Sequence, residues 1–262
     1  MQKVFGMNNQ GKSRYRMGEN TNRIVISTLD EERFEVKTAK IKDFIWQEIP
    51  GVLDQCHRDK VRLLIARCST ADMKTVQELE RRGFLLMDTL VYYEHHLHLK
   101  IAIAPHKAIT IRTALPEEAE KVRAVAAESF KGYNGHYHAD NRLAAKKCDE
   151  VYSSWAFNSC ISKDFANEVL VAVLENRIVG FATLRVNALD EGEGVLFGIS
   201  PEAQGIGIYR LFIENSLLWA VRQGLKRMIV STQITNIAVQ KVWVRAGFWP
   251  YSSFYTFHKW FD

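Results

Sequence analysis

Two stretches of this chain run through the same succession. RLLIARCSTADMKTVQELERRGF, which ends at Phe84, is an aliphatic run, an amphipathic segment and then Gly83-Phe84. RMIVSTQITNIAVQKVWVRAGF repeats that order and closes on Gly247-Phe248. Asp72 stands 11 residues before Gly83 and Asn236 stands 11 before Gly247, at a constant offset of 164. The short β-branched and aliphatic runs predict buried strands. Val76, Leu79 and the Arg81-Arg82-Gly83 stop predict a short helix. Similarity at a fixed spacing predicts a duplicated scaffold, although strand, helix, Gly-Phe and strand also recur by chance in α/β chains.

Only the second copy has a glycine turn ahead of it. SPEAQGIGIYR (200–210) follows the apolar run VLFGI and leads into LFIENSLLWAVRQG, where Ile208, Leu211, Phe212, Leu218 and Trp219 share a helical face. The first backbone N–H groups of a helix have no partner within it. With the helix dipole they form an anion site, and glycines let an anion approach the main chain closely. Two glycines alone are a weak signal. The flanking strand and amphipathic helix make it stronger. The first copy, lacking the turn, is expected to shape a substrate pocket or an oligomer instead.

A chain of 262 residues suits two domains of modest size. With 47% hydrophobic and 25% charged residues, a packed fold is expected and disorder is not. No apolar run approaches the roughly 20 residues of a membrane span. The N-terminal MQKVFGMNNQGKSRYRMGEN lacks the apolar segment of a signal peptide and reads as a loose arm. The formal charge of +5 suits an anionic small substrate and is too weak and too evenly spread for nucleic acid. Cys56, Cys68, Cys148 and Cys160 form no CxxC pair and no zinc-ligand spacing with histidine. They read as reduced thiols of a cytoplasmic protein, inert unless a base lies beside one.

The remaining elements follow by pattern. Residues 22–29 read as a strand, 37–50 as a helix stopped by Pro50, and 85–101 as a long strand carrying His96 and His98 on one face. Pro105-His106-Lys107 places a boundary near residue 106, giving domains 1–106 and 107–262. The second opens with a strand and a helix starting at Pro116-Glu117-Glu118. A loop, GYNGHYHADNR (132–142), precedes a helix over about 143–160 with Tyr152 and Trp155 on one face. Three strands follow, joined at Glu175-Asn176-Arg177 and at 187–193. YSSFYTFHKWF is the last strand, and so apolar an edge suggests a homodimer.

VLFGISPEAQGIGIYRLFIENSLLWAVRQG resembles the acyl-CoA pyrophosphate loop of the GNAT acyltransferase superfamily, Gln/Arg-x-x-Gly-x-Gly/Ala. Gln204, Gly207 and Tyr209 occupy the patterned positions, and Tyr209 departs from the small residue. NIAVQKVWVRAGF is similar to the family's Asn-x-x-Ala-x-x-x-Tyr-x-x-x-Gly-Phe, in which the Asn contacts the pantetheine arm. The resemblance covers residues 109–262. It implies an α/β (α+β) GNAT fold, a mixed central sheet flanked by helices, with the smaller N-terminal α/β domain a degenerate copy. SFKGYNGHYHAD, VYSSWAFNSC and GFLLMDTLVYYEHHL resemble bacterial nucleotide-sugar N-acyltransferases of the dTDP-fucosamine type. That resemblance implies a cytoplasmic enzyme acylating the amino group of a dTDP-amino sugar for surface polysaccharide.

In such a reaction a neutral amine attacks a thioester, an oxyanion develops and a thiolate leaves. The resemblance assigns the pyrophosphate of acyl-CoA to the N–H groups of Gly205, Ile206, Gly207, Ile208 and Tyr209, and the pantetheine to Phe197, Ile199 and Asn236. It makes the Phe197 N–H the oxyanion donor. The family's acid is the Tyr of the second motif, a position held here by Trp243, whose indole gives up no proton near neutral pH. Water, the amine's own proton, Tyr209, Tyr251 or Tyr255 are the alternatives. His138, with His136 beside it, is the expected base, since histidine titrates in the right range. Tyr133, Tyr137, Tyr152 and Trp155 are candidates to stack on the thymine or sugar, with Asp140 in the same segment. Surface histidines and ordinary core aromatics are the plainer reading of these residues. A protein, peptide or polyamine acceptor, or an acyl-CoA-binding module without catalysis, are the competing functions. No metal site is expected from His95, His96 and His98.

Overall fold

The computed structural model describes residues 24–97 and 108–262. The N-terminal arm, His98 and the Pro105-His106-Lys107 boundary lie outside the described residues.

In chain order the elements are β1 (Ile24–Ile26), α1 (Thr28–Phe34), β2 (Thr38–Lys42), α2 (Ile49–Arg58), β3 (Leu63–Ser69), α3 (Met73–Arg81) and β4 (Leu85–His96). After residue 107 come β5 (Ile109–Thr113), α4 (Ala119–Ser129), α5 (Ala145–Ile161), β6 (Glu168–Leu174), β7 (Arg177–Ala188) and β8 (Glu191–Ile199). The chain ends with α6 (Ile208–Arg222), β9 (Arg227–Gln233), α7 (Ile237–Arg245) and β10 (Trp249–Trp260).

The described residues form two compact units that do not follow a cut near residue 106. One unit takes 92–133 and 149–251; the other takes the chain up to Val91, 134–148 and 252–262. The reason is strand pairing. Phe254–Trp260 of β10 run antiparallel to Ser69–Leu63 of β3, so the last strand completes the sheet of the N-terminal unit. This also removes the edge on which the homodimer expectation rested, because β10 is paired within its own chain.

In the N-terminal unit the strand order is β1-β2-β3-β10, with β2 and β3 parallel. One sheet face is apolar. Ala39, Ile41, Leu64, Ala66 and Phe257 pack there against Ile49 and Cys56 of α2 and Val76 and Leu79 of α3. The expected helix over 37–50 is strand β2 followed later by α2. Pro50 opens α2 rather than stopping a helix, since its missing N–H costs nothing in a first turn.

The other unit has the order β4-β9-β8-β7-β6-β5. Its sheet is antiparallel from β5 to β8 and parallel between β8 and β9. Glu175 and Asn176, both at positive φ, form the two-residue turn between β6 and β7. Phe181, Ala182, Phe212, Ile213, Met228 and Ile229 are its core.

Candidate functional site

Strand β8 changes partners along its length. Against β9 it pairs only from Glu191–Gly194 with Arg227–Val230, while its pairing with β7 continues to Ile199. The register on β7 slips between Leu184, opposite Gly194, and Thr183, opposite Leu196. Val195 is therefore a bulge residue at the point where β8 parts from β9. A bulge increases local twist and re-aims the strand. Beyond it, one edge of β8 is not taken by β9, and that edge carries Phe197 and Ile199, both half-buried.

The chain then enters the glycine turn. Gln204 donates its side-chain amide to the Ile199 carbonyl at 3.2 Å, tying the turn back to β8. Gly205 and Gly207 stand at φ of +81° and +93°, where an L side chain is strained. Residues 204–207 are exposed. Gly207 precedes the 15-residue α6, and no side chain caps that helix. The first bond of its ladder runs from the Leu211 N–H to the Gly207 carbonyl, leaving the N–H groups of Ile208, Tyr209 and Arg210 ahead of it. This geometry suits a phosphate or pyrophosphate.

Tyr209 and Trp243, the two departures from the family pattern, touch. The indole Nε1–H donates to the Tyr209 hydroxyl at 3.1 Å. Tyr209 also packs on Phe197, with ring centroids 5.5 Å apart. Trp243 is 1% exposed. Asn236 caps α7: its Oδ1 accepts from the Val239 N–H at 3.4 Å and its Nδ2 donates to Thr232 Oγ1 at 3.1 Å. In the same unit Tyr133 donates its hydroxyl to Gln233 and sets its ring edge-on to the stacked pair of Phe130 and Tyr152. Tyr152 is 9% exposed and packs as a core aromatic. Trp155 is half-buried.

The other expected site residues of the 132–142 loop belong to the N-terminal unit and form two hydrogen-bonded groups. Asp140 Oδ2 accepts from His258 Nδ1 at 2.6 Å and from Trp260 Nε1 at 2.9 Å. His258 Nε2 in turn lies 2.9 Å from His136 Nδ1. With a carboxylate on its Nδ1–H, neutral His258 has its lone pair on Nε2. His136 must then donate from Nδ1 and keeps its own lone pair on Nε2. The chain runs through His136. Burial first, then the electrostatic influence of His258, Arg67 and Lys40, holds the His136 pKa well below the usual histidine value. For Asp140, burial pushes upward, but hydrogen bonds from His258, Trp260 and the Arg142 main chain outweigh it and lower the pKa.

Tyr137 is buried and engaged. It donates to Asp30 Oδ1 at 2.9 Å and accepts from Lys40 at 3.2 Å, while Lys40 pairs with Asp30 at 2.5 Å. Its role is to hold the 134–148 segment, and its ring offers no open stacking face. Sequence reading missed His258. The period-two placement of Thr256 and His258 on one strand face of YSSFYTFHKWF was the available signal, and both prove buried.

Burial raises the Cys56 and Cys160 thiols to about 11 and Cys68 to about 12, so all three are neutral thiols near pH 7. Among the described residues no group of three or more His, Cys, Asp or Glu could hold a metal ion. No described helix is long and apolar enough to cross a membrane.

An open strand edge leading into an uncapped helix behind a glycine turn gives this mixed α/β fold a set of unpaired main-chain groups suited to an anionic ligand. Residues 135–248 match the Acetyltransferase (GNAT) family. It is similar to the spore coat polysaccharide biosynthesis protein SpsD of Bacillus subtilis, at 23% identity over 145 residues. That match covers 55% of this chain and 48% of SpsD, so the chain spans about half the length of this curated relative. Among solved structures, a GCN5-related N-acetyltransferase from Sphaerobacter thermophilus superposes with a TM-score of 0.63 at 14% identity, over 90% of this chain and 76% of that one. A tandem GNAT protein from the clavulanic acid biosynthesis pathway superposes with a TM-score of 0.58 at 14% identity, over 85% and 75%. The fold is that of GNAT proteins.

Proposed function

We propose that the protein is a cytoplasmic N-acyltransferase that moves an acetyl or short hydroxyacyl group from acyl-CoA to the amino group of a dTDP-linked amino-dideoxy sugar, for surface polysaccharide. The observation that carries the donor half is the continuity of the β8 edge past Val195 with the glycine turn and the uncapped start of α6. A pantetheine pairs with strand main chain, and a pyrophosphate seats on helix N–H groups. The acceptor half rests on the resemblance of SFKGYNGHYHAD and VYSSWAFNSC to nucleotide-sugar acyltransferases. The likeness to a protein named for spore coat polysaccharide biosynthesis supports it.

In this reading the Phe197 N–H donates to the developing oxyanion, a contact whose loss typically costs about 3 kcal/mol. Within the N-terminal unit, His258 and Asp140 fix the tautomer of His136 with its lone pair on Nε2, the form a general base needs. The depressed pKa of His136 keeps it neutral, as a base must be, throughout the neutral range.

The test is a screen of the purified chain with acetyl-CoA and hydroxyacyl-CoAs against dTDP-4-amino-4,6-dideoxyhexoses, peptide N-termini and spermidine, reading release of free CoA thiol. Thiol release with the dTDP sugars alone is expected. Release with peptides or spermidine and not with the sugars refutes the acceptor. Binding of acetyl-CoA with no release in any arm refutes the enzyme. A histidine base predicts turnover about 10²–10⁴-fold lower in His136→Gln or His138→Ala, and unchanged turnover and pH–rate profile in both refute it.

A further inference from the structure

Acyl transfer as proposed leaves the departing sulfur in need of a proton, and Trp243 has none to give. Three phenols surround this part of the glycine-turn unit. Tyr93 donates its hydroxyl proton to Gln240 Oε1 at 3.2 Å, and Tyr133 donates its own to Gln233 Oε1. Both protons are committed. Tyr209 differs, because its partner is an indole nitrogen. An indole N–H is a donor and never an acceptor. The Tyr209 oxygen is therefore the acceptor in that bond, and its own proton points elsewhere.

The surroundings of this phenol fit the task. Tyr209 is the second residue of α6, two past Gly207. Its ring lies against Phe197, on the part of β8 that β9 does not take. Trp243 is locked: it is 1% exposed and packs on Tyr93 with ring centroids 5.3 Å apart. Burial raises the Tyr209 pKa far above the usual phenol value, with the Trp243 hydrogen bond acting the other way and Tyr133 adding to the rise. The group is thus fully protonated at any working pH.

We propose that Tyr209 is the general acid of the transfer and Trp243 the positioning residue that aims it. When the tetrahedral intermediate collapses, the carbon–sulfur bond breaks and its electron pair stays on sulfur. The Tyr209 O–H proton passes to that sulfur, giving free CoA thiol. The phenolate left behind is held by the Trp243 N–H and is reprotonated from solvent, which receives the proton the amine lost to its base. The bulky residue in the glycine turn and the indole in the second motif are then one exchange: the phenol has changed elements, and the indole supports it.

The inference rests on the acyl-CoA reading, and its test separates the two. Tyr209→Phe and Trp243→Phe are compared with wild type using acetyl-CoA and a dTDP-4-amino-4,6-dideoxyhexose. Circular dichroism confirms the fold, and calorimetry measures affinity for acetyl-CoA. Tyr209→Phe should lower kcat about 10²–10⁴-fold while acetyl-CoA affinity stays within about threefold of wild type, the mark of an interaction used only in the transition state. Trp243→Phe, which keeps the phenol, should lose about tenfold, the scale of one hydrogen bond to a charged group. A second readout needs no turnover. Ultraviolet titration of bound CoA should give a higher thiol pKa in Tyr209→Phe than in wild type, because the phenol stabilises the thiolate. An unchanged kcat, or an unshifted thiol, in Tyr209→Phe overturns the assignment while leaving the acyl-CoA reading intact. Failure of wild type to bind acetyl-CoA overturns both.

Discussion

Residues 63–84 and 227–248 are built to the same plan at the level of single hydrogen bonds. The Asp72 and Asn236 side chains each cap the helix that follows, accepting from Thr75 and Val239. Phe84 N–H bonds the Leu79 carbonyl as Phe248 N–H bonds that of Trp243, each at 3.0 Å. Gly83 and Gly247 both turn the chain at positive φ. The strands beside these scaffolds differ. All five residues of β2 pair with β3, whereas β8 pairs with β9 over four residues, bulges at Val195 and runs on. Where β8 leads to the glycine turn and α6, β2 ends and the chain goes on to α2 without one. The buried helix residue differs as well. Leu79 is part of an apolar core, while Trp243 at the equivalent place donates to Tyr209. One plan, closed in one copy and opened in the other, separates what the scaffold needs in order to fold from what a ligand site adds to it.

The largest expected effect breaks the closed copy. Leu79 is 1% exposed among Ile49, Val76 and Phe257. Leu79→Ala should cost about 2–5 kcal/mol of stability, measured by urea unfolding, and leave the acetyl-CoA affinity of the folded protein unchanged. A tenfold loss of that affinity would mean that the first copy takes part in donor binding, and the contrast between the copies would fall.

Much of this contrast was legible before any coordinates. The offset of 164 and the strand–turn–helix around SPEAQGIGIYR rest on local periodicity and on glycine's backbone freedom, both readable in a short window. What escaped depends on long-range contact. Tyr209 and Trp243 lie 34 residues apart on different helices, and nothing local says that an indole will meet a phenol. His258 reaches His136 across 122 residues because β10 returns to β3. Asp140 and Tyr137, read as substrate contacts, instead anchor their segment, since pairing partners decide whether a polar group faces a ligand or the core. Pro50 was misread because proline suits the start of a helix as well as its end, and only the parallel pairing of β2 with β3 settles which.

A smaller effect sharpens the open copy. A Cβ at Gly207 would meet nothing within 4 Å, so Gly207→Ala tests backbone conformation without a clash. Holding alanine at a φ of +93° costs about 1–2 kcal/mol. If the turn shifts to relieve this, its N–H groups leave the pyrophosphate, and acetyl-CoA affinity should fall about tenfold by calorimetry. Gly83→Ala is the control, at a φ of +74° with only the Lys259 ammonium nearby at 3.2 Å. It should carry a similar loss of stability and no loss of affinity. Equal affinity in both variants would show that the turn holds no donor.

The smallest effect compares the two caps. Asp72 makes a second bond to its helix, accepting from Thr75 Oγ1 at 2.6 Å, whereas Asn236 turns its amide to Thr232. Replacing either cap by alanine should cost about 1 kcal/mol in unfolding, slightly more for Asp72 because it satisfies two donors. Only Asn236→Ala should also weaken acetyl-CoA binding, since only in the open copy does this position lie at the end of a strand that has parted from its neighbour. If both variants lose stability and neither loses affinity, the asparagine is a cap like its counterpart, and the donor site is confined to β8, the glycine turn and the first turn of α6.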